Sequence, residues 1–256
     1  MAPGNTHHAQ ASARNVLVTG GSRGLGLAIA QKLAAAGYRT IALARSESKE
    51  IAAAIAQSKA EGPGTLSFVP FDLGKVDDIP ELMRGLRKQF GPLYGLVNNA
   101  ALGLSGTLAL MHRSRIEEMV RLNTVSPIVL TRYAMRGMMA AGSGRIVNVS
   151  SIVASTGASG ITVYAATKAS MIGFTRSLAR EIGPLGITVN AVAPGILDTD
   201  MTHVLTDEQR AQVARRSALN RLAEVGDVAD TVEFLLSDKA RNITGTVITV
   251  DAGATA

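Results

Sequence analysis

Short apolar runs alternate with longer stretches of helical period along almost the whole chain, and this alternation restricts the fold more than any other feature. Runs of strand length fall at residues 16–19, 40–44, 66–71, 95–98, 145–150, 187–193 and 246–250. Several are unbroken aliphatic or β-branched stretches, as expected of strands buried on both faces of a sheet. Between them apolar residues recur at helical spacing, as at 25–36, which Gly37 follows as a stop, and at 46–60. This succession predicts an α/β fold, a doubly wound parallel sheet covered by helices on both faces.

With 46% hydrophobic and 18% charged residues the chain can bury a large core. No repeat or linker divides it, so residues 14–256 read as one domain behind a polar tail at 1–13. The absence of cysteine excludes a disulfide framework, a thiolate nucleophile and a zinc ribbon. The four histidines, at 7, 8, 112 and 203, show no ligand spacing, and no metal is expected. No apolar run approaches the roughly 18 residues of a membrane span and the first residues lack a signal-peptide core, which reads as a cytoplasmic chain without a membrane partner. The net charge of +6 is spread through helical stretches, with no like-charge run and few aromatics, so no nucleic-acid partner is expected.

The segment Thr19-Gly20-Gly21-Ser22-Arg23-Gly24-Leu25-Gly26 lies directly after the first strand and opens the first helix. A nucleotide pyrophosphate needs close backbone approach and free amides at a helix N-terminus, and glycines allow both. A plain strand-to-helix turn could use the same glycines, but the strand before and helix after favour a cofactor site. The second strand ends Ala42-Leu43-Ala44-Arg45-Ser46 without the carboxylate that would accept the ribose hydroxyls of NAD. Arg45 and Ser46, with Ser22 and Arg23 in the glycine turn, favour the 2′-phosphate of NADP(H). Two solvated surface arginines are the alternative reading.

Tyr164 and Lys168, four apart in a segment of helical pattern at 163–182, lie on one helix face. A neighbouring ammonium favours the phenolate, so the tyrosine pKa is expected to fall and its hydroxyl to serve as acid or base. A chance surface pair would look the same, but Ser150-Ser151 ends the fifth strand, where open α/β sheets hold their ligands. Pro127 interrupts a helix read over 113–139, which should kink it and free the carbonyl of Asn123 to hold a water.

Together these residues resemble the short-chain dehydrogenase/reductase family over about 15–253. The glycine motif, Asp72, Asn98-Asn99-Ala100, Asn123, Ser151, Tyr164, Lys168 and Pro194-Gly195 stand in the family's order and spacing. The resemblance implies a seven-stranded Rossmann sheet, in a homotetramer. It implies Tyr164 as the catalytic acid/base, Lys168 at the nicotinamide ribose, Ser151 holding the substrate carbonyl and Asn123 supporting a proton-relay water. Cofactor contacts are implied at Gly20, Ser22, Arg23, Gly24, Leu25, Gly26, Arg45, Ser46, Tyr164, Lys168, Pro194 and Gly195. Asp72 with Leu73 would meet the adenine, Asn98 and Ala100 the adenosine ribose region, and Ile196 and Thr199 the nicotinamide carboxamide. Ala101 departs from the family's usual glycine.

Within the family the stretch 193–202, Arg221-Leu222 and Ile243-Thr244-Gly245 look like the 3-oxoacyl-acyl-carrier-protein reductases. Those enzymes often carry basic residues beside the cleft where this chain has Ala140-Ala141-Gly142 and Gly183-Pro184-Leu185. Neighbouring Arg132, Arg136, Arg176 and Arg180 are candidates to compensate, with solvated residues or subunit contacts as the alternative readings. Three functions follow: an NADPH-dependent ketoreductase acting on an acyl-carrier-bound carbonyl, the same chemistry on a small free ketone, quinone or sterol, and a non-catalytic nucleotide-sensing or nucleic-acid-binding module. The intact Asn123, Ser151, Tyr164 and Lys168 set disfavours the third.

Overall fold

In the computed structural model, which describes residues 14–197 and 206–256, seven parallel strands form one sheet: β1 Asn15–Thr19, β2 Arg39–Ala44, β3 Thr65–Pro70, β4 Gly95–Asn98, β5 Gly144–Val149, β6 Ile187–Pro194 and β7 Val247–Val250. Their order is β3-β2-β1-β4-β5-β6-β7, so the chain reverses direction across the sheet between β1 and β4. In such sheets the crevice at the reversal, beyond the carboxyl ends of the strands, is where ligands bind.

Side chains alternate across the sheet because the strand period is two. Val16 and Val18 of β1 enter one core, against Ile29 and Leu33 of helix α1 (Gly24–Ala35) and Val232 of helix α9 (Val225–Leu236). Leu17 and Leu96 enter the opposite core, with Met83 and Leu86 of helix α3 (Ile79–Phe90), Leu130 and Met138 of helix α5 (Ser126–Ala141) and Leu178 of helix α7 (Thr162–Ile182). The expected two-faced burial is therefore met. Among the described residues no helix is long and apolar enough to cross a membrane.

Gly37 stops α1 as expected: its φ of +94° lets the Tyr38 amide donate to the Leu33 carbonyl at 3.0 Å. Helix α2 (Lys49–Glu61) starts three residues later than the periodicity predicts, because the Ser48 hydroxyl caps it by accepting from the Ile51 amide at 3.1 Å.

The segment read as one helix over 113–139 is one continuous run of helical backbone made of α4 (Arg113–Val120), a π turn at Arg121–Val125, and α5, with right-handed helical dihedrals at each junction. Pro127 lies two residues after the π turn, so the irregularity that a proline without an N–H imposes on the helix falls just before it, around Asn123. Two further helices, α6 (Val153–Thr156) and α8 (Asp207–Arg216), flank the carboxyl edge of β5 and follow β6.

Candidate active site

The glycine turn is shaped by its neighbours. Gly20 and Gly24 adopt φ of +68° and +53°, which a side chain disfavours. A Cβ on Gly26 would collide with the Gly20 carbonyl oxygen and stand 2.5 Å from Asn99 Nδ2. The Thr19 hydroxyl accepts from the amides of Asn99 at 2.9 Å and Ala100 at 3.0 Å, and Asn99 Nδ2 donates to the Thr19 carbonyl at 2.9 Å. These bonds sew the end of β4 to the end of β1. Arg23 precedes α1 without a side-chain cap, and no acid stands in the helix's first turn. The cradle of amides at a positive helix end fits a nucleotide pyrophosphate.

Arg23, Arg45 and Ser46 are exposed beside this cradle, and the Ser48 hydroxyl donates to the Ser22 carbonyl at 2.6 Å. An acid that strand-end reasoning overlooks lies close by: Glu50, at the start of α2, is held below the usual carboxylate range by backbone and Ser48 hydrogen bonds and, more weakly, by the charges of Lys49 and Arg23. Asp72 is exposed after β3 and accepts from the Gly74 amide at 2.9 Å. Leu73 is buried, and its carbonyl accepts from the Ser126 hydroxyl at 2.7 Å.

Asn98 faces the core: Nδ2 donates to Thr131 Oγ1 at 3.0 Å and to Asn148 Oδ1 at 2.8 Å. Asn148 passes the chain on to Thr175 Oγ1 at 2.8 Å.

Ser151 lies two residues past β5, with its hydroxyl 3.4 Å from the Val153 amide. The preceding Ser150 is buried and donates to the Lys168 carbonyl at 2.9 Å, fixing α7 against the end of β5. Lys168 is 4% exposed, and Nζ donates to the Val149 carbonyl at 2.8 Å while lying 5.6 Å from the Tyr164 ring centroid. Burial lowers the lysine to about 8 and raises the tyrosine above its ordinary value. The expectation that Lys168 lowers the phenol is thus corrected, because desolvation of the half-buried ring outweighs the field of an ammonium that is itself hard to charge.

Asn123 is buried in the π turn, where Oδ1 accepts from the Leu102 amide at 2.7 Å and Nδ2 donates to the Leu102 carbonyl at 2.8 Å and to Thr167 Oγ1 at 3.1 Å. Thr167 in turn donates to the Tyr164 carbonyl at 2.7 Å. The side chain is a clamp between the loop after β4 and α7, which leaves the main-chain carbonyl as the group with which Asn123 would hold a water. Thr19 and Ser150, which the motifs include without a role, and Thr167 are positioning residues whose part only the packing reveals. The only local sign of it is a hydroxyl within each motif.

At the end of β6 the Pro194 carbonyl accepts from the Ile152 amide at 3.0 Å, and the Gly195 amide donates to the Val250 carbonyl at 2.9 Å. A Cβ on Gly195 would stand 2.7 Å from that of Asp251. Ile196 is half-buried beside them, and Thr199 lies outside the described residues. The glycine turn, Asn123, Ser151, Tyr164, Lys168 and Pro194-Gly195 therefore all gather at the carboxyl edge of the sheet. Among the described residues no group of three or more potential ligands could hold a metal ion.

The segments 140–142 and 183–185, expected beside the cleft, are elsewhere. They precede β5 and β6 at the amino edge of the sheet, where a Cβ on Gly186 would collide with the Gly142 carbonyl oxygen. The six residues of β5 separate them from Ser151 by about 20 Å. Their lack of charge therefore says nothing about this chain's own cleft.

A family profile described as enoyl-(acyl carrier protein) reductase matches residues 20–255. The 3-oxoacyl-[acyl-carrier-protein] reductase of Haemophilus influenzae is 40% identical over 237 residues, 93% of this chain and 96% of that protein. The Escherichia coli enzyme of the same name is 41% identical, over 93% of this chain and 95% of its own length. Among solved structures, a putative gluconate dehydrogenase from Agrobacterium tumefaciens superposes with a TM-score of 0.89 at 30% identity, covering 94% of this chain and 95% of that one. A putative NAD(P)-dependent gluconate 5-dehydrogenase from Beutenbergia cavernae, with bound NADP, gives 0.88 at 32% identity over 94% and 96%.

Proposed function

The chain belongs to the short-chain dehydrogenase/reductase family, and from that premise we propose that it is an NADPH-dependent 3-oxoacyl-[acyl-carrier-protein] reductase, turning a 3-oxo group into a 3-hydroxy group. The observation that carries this reading is the convergence of Ser151, Tyr164 and Lys168 at the carboxyl edge of β5, beside a glycine cradle, in a chain about 40% identical to such reductases along nearly its whole length.

The residues at the cradle fit NADPH: Gly20 and Gly26 let the turn close tightly on itself and on Asn99, the amino end of α1 would hold the pyrophosphate, and Arg23, Arg45 and Ser46 would hold a 2′-phosphate. When bound, NADPH supplies a hydride to the carbonyl carbon. The hydroxyl of Ser151 donates to the carbonyl oxygen and polarises it. Tyr164 gives its proton to the same oxygen as negative charge develops there, completing the alcohol. Lys168, anchored on the Val149 carbonyl, supports the transient phenolate, and the Asn123 carbonyl holds a water from which the proton is resupplied. Asp72 and Leu73 would hold the adenine end, Ala100 the ribose, and Pro194, Gly195 and Ile196 the nicotinamide, where the sequence also assigns Thr199.

The deciding experiment compares kcat/KM for a 3-oxoacyl thioester on acyl carrier protein with that for free ketones and for gluconate-type substrates, each with NADPH and NADH. We expect the carrier thioester and NADPH to be preferred, and Arg45→Asp to reverse the cofactor preference by setting repulsion where attraction stood. A free ketone or polyol turned over faster than the carrier thioester would select the second reading, which the gluconate dehydrogenase neighbours favour. Equal use of both cofactors by the unmodified enzyme would remove the argument from Arg23 and Arg45.

We further propose a homotetramer. Val120, Val125, Ile128 and Met139 leave an exposed apolar stripe along α4 and α5, and β7 ends the sheet with an unpaired edge. A second copy covering each would bury both. Light scattering at micromolar concentration should give four times the chain mass, and a monomer would reject the assignment.

A further inference from the structure

A second concavity lies away from the chemistry, between α3 and α5 near the amino edge of the sheet, with a volume of about 290 Å³. Its floor is apolar: Met83, Leu86, Leu93 and Ala134 contribute to it, each at most 9% exposed. Its rim is cationic. Arg84 and Arg87 project from α3 and Arg136 from α5, and among the described residues none of the three has a carboxylate partner. The Arg136 guanidinium is held over the Tyr133 ring at 4.8 Å, so it is partly ordered before any ligand arrives.

Three unpaired guanidiniums around an apolar trough form a surface with two chemistries. Guanidinium is weakly hydrated and binds a carboxylate or phosphate through paired charge-assisted hydrogen bonds, while the trough gains only from apolar contact. A ligand that satisfies both carries an anionic head and a hydrocarbon tail. The volume is near the lower end of the roughly 300–1,000 Å³ of small-molecule sites, enough for a short acyl chain rather than a protein helix. We propose that this cleft is a binding site for an acyl anion, with its head on Arg84, Arg87 and Arg136 and its chain along Met83, Leu86 and Leu93.

The trough opens away from the apolar stripe: at 100° per residue, Tyr133 and Gly137 stand about 130° around α5 from Val125, Ile128 and Met139, while Arg136, about 50° from them, rises between the stripe and the trough. The proposal is independent of which carbonyl the enzyme reduces, since it involves none of the residues at the carboxyl edge.

Two variants of the NADPH-loaded protein test it from opposite directions by calorimetric titration with decanoate, decanol and inorganic phosphate. Arg84→Gln/Arg87→Gln/Arg136→Gln removes the charge. Gly137→Met fills the trough, at a position where a Cβ would meet Pro92 Cβ at an ordinary 3.5 Å and where replacing a mid-helix glycine favours the helix. We expect decanoate to bind the unmodified protein more tightly than decanol or phosphate, and each variant to weaken it at least about tenfold while leaving NADPH affinity unchanged. Decanoate binding that survives both variants belongs to the catalytic cleft and overturns the proposal. So does phosphate binding as tightly as decanoate, or no binding of decanoate at all.

Discussion

Tyr164→Phe lowers kcat for carbonyl reduction by roughly 10² to 10⁴ while the affinity for NADPH stays nearly unchanged. The substitution removes one oxygen and keeps the ring, whose packing places it 5.6 Å from Lys168 Nζ, so the architecture of α7 is preserved. The lost group is the proton source. Burial raises the phenol's pKa, so in the unmodified enzyme it stays protonated through neutral pH, the form an acid needs. Single-turnover reduction with saturating NADPH, alongside a direct titration of the cofactor, separates the two effects. Near-normal turnover in the variant would mean that another donor in the cleft delivers the proton. A parallel collapse of NADPH binding would mean that the tyrosine acts mainly in assembling the site.

Lys168→Met has the opposite signature: it stabilises the folded chain at pH 7 while abolishing most of the activity. The ammonium is buried on a hydrogen bond to the Val149 carbonyl, and desolvation brings its pKa to about 8. In the unfolded chain the same group titrates near about 10.4. Because the folded value is the lower one, the native state binds fewer protons than the unfolded state between about pH 8 and 10.4, and stability rises with pH through that window. Below it both states are charged and the burial cost is full, on the order of 3 kcal/mol. Methionine removes that cost and loses one hydrogen bond, so the variant gains at most that much at pH 7 and under about 1 kcal/mol near pH 10, where most of the window has been crossed. Urea unfolding of both proteins at the two pH values measures the difference, with other titrations cancelling between them. A variant less stable at pH 7, by a margin that does not change at pH 10, would show that Lys168 is held charged at no cost. That a residue should be retained against its own effect on stability is the expected mark of a functional group.

The local character of the chain was legible without coordinates. Strand-length aliphatic runs separated by helical spacing specify a parallel sheet buried on both faces, since each pattern follows from the repeat of its own element. The glycines at 20, 24 and 26, and the four-residue step from Tyr164 to Lys168, likewise carry their meaning within one turn or one helix. Gly37 as a stop and the irregularity around Asn123 and Pro127 belong to the same class, although the chain answers the proline with a π turn inside a continuous helix rather than a simple kink.

What tertiary structure alone decided depends on residues far apart in sequence. The strand order brings β4 beside β1 and β5 beside β4, and so sets Asn99 and Ala100 on the Thr19 hydroxyl and Ser151 at the same edge. No local periodicity encodes which strands become neighbours. The same packing turned the Asn98 side chain into the core toward Asn148, tied Asn123 to α7 through Thr167, and carried the segments 140–142 and 183–185 to the far end of the sheet. It also reversed the expected electrostatics of the tyrosine and lysine. Spacing places two charges near one another, but how strongly they are desolvated depends on everything folded around them, and in this site burial outweighs the pairing.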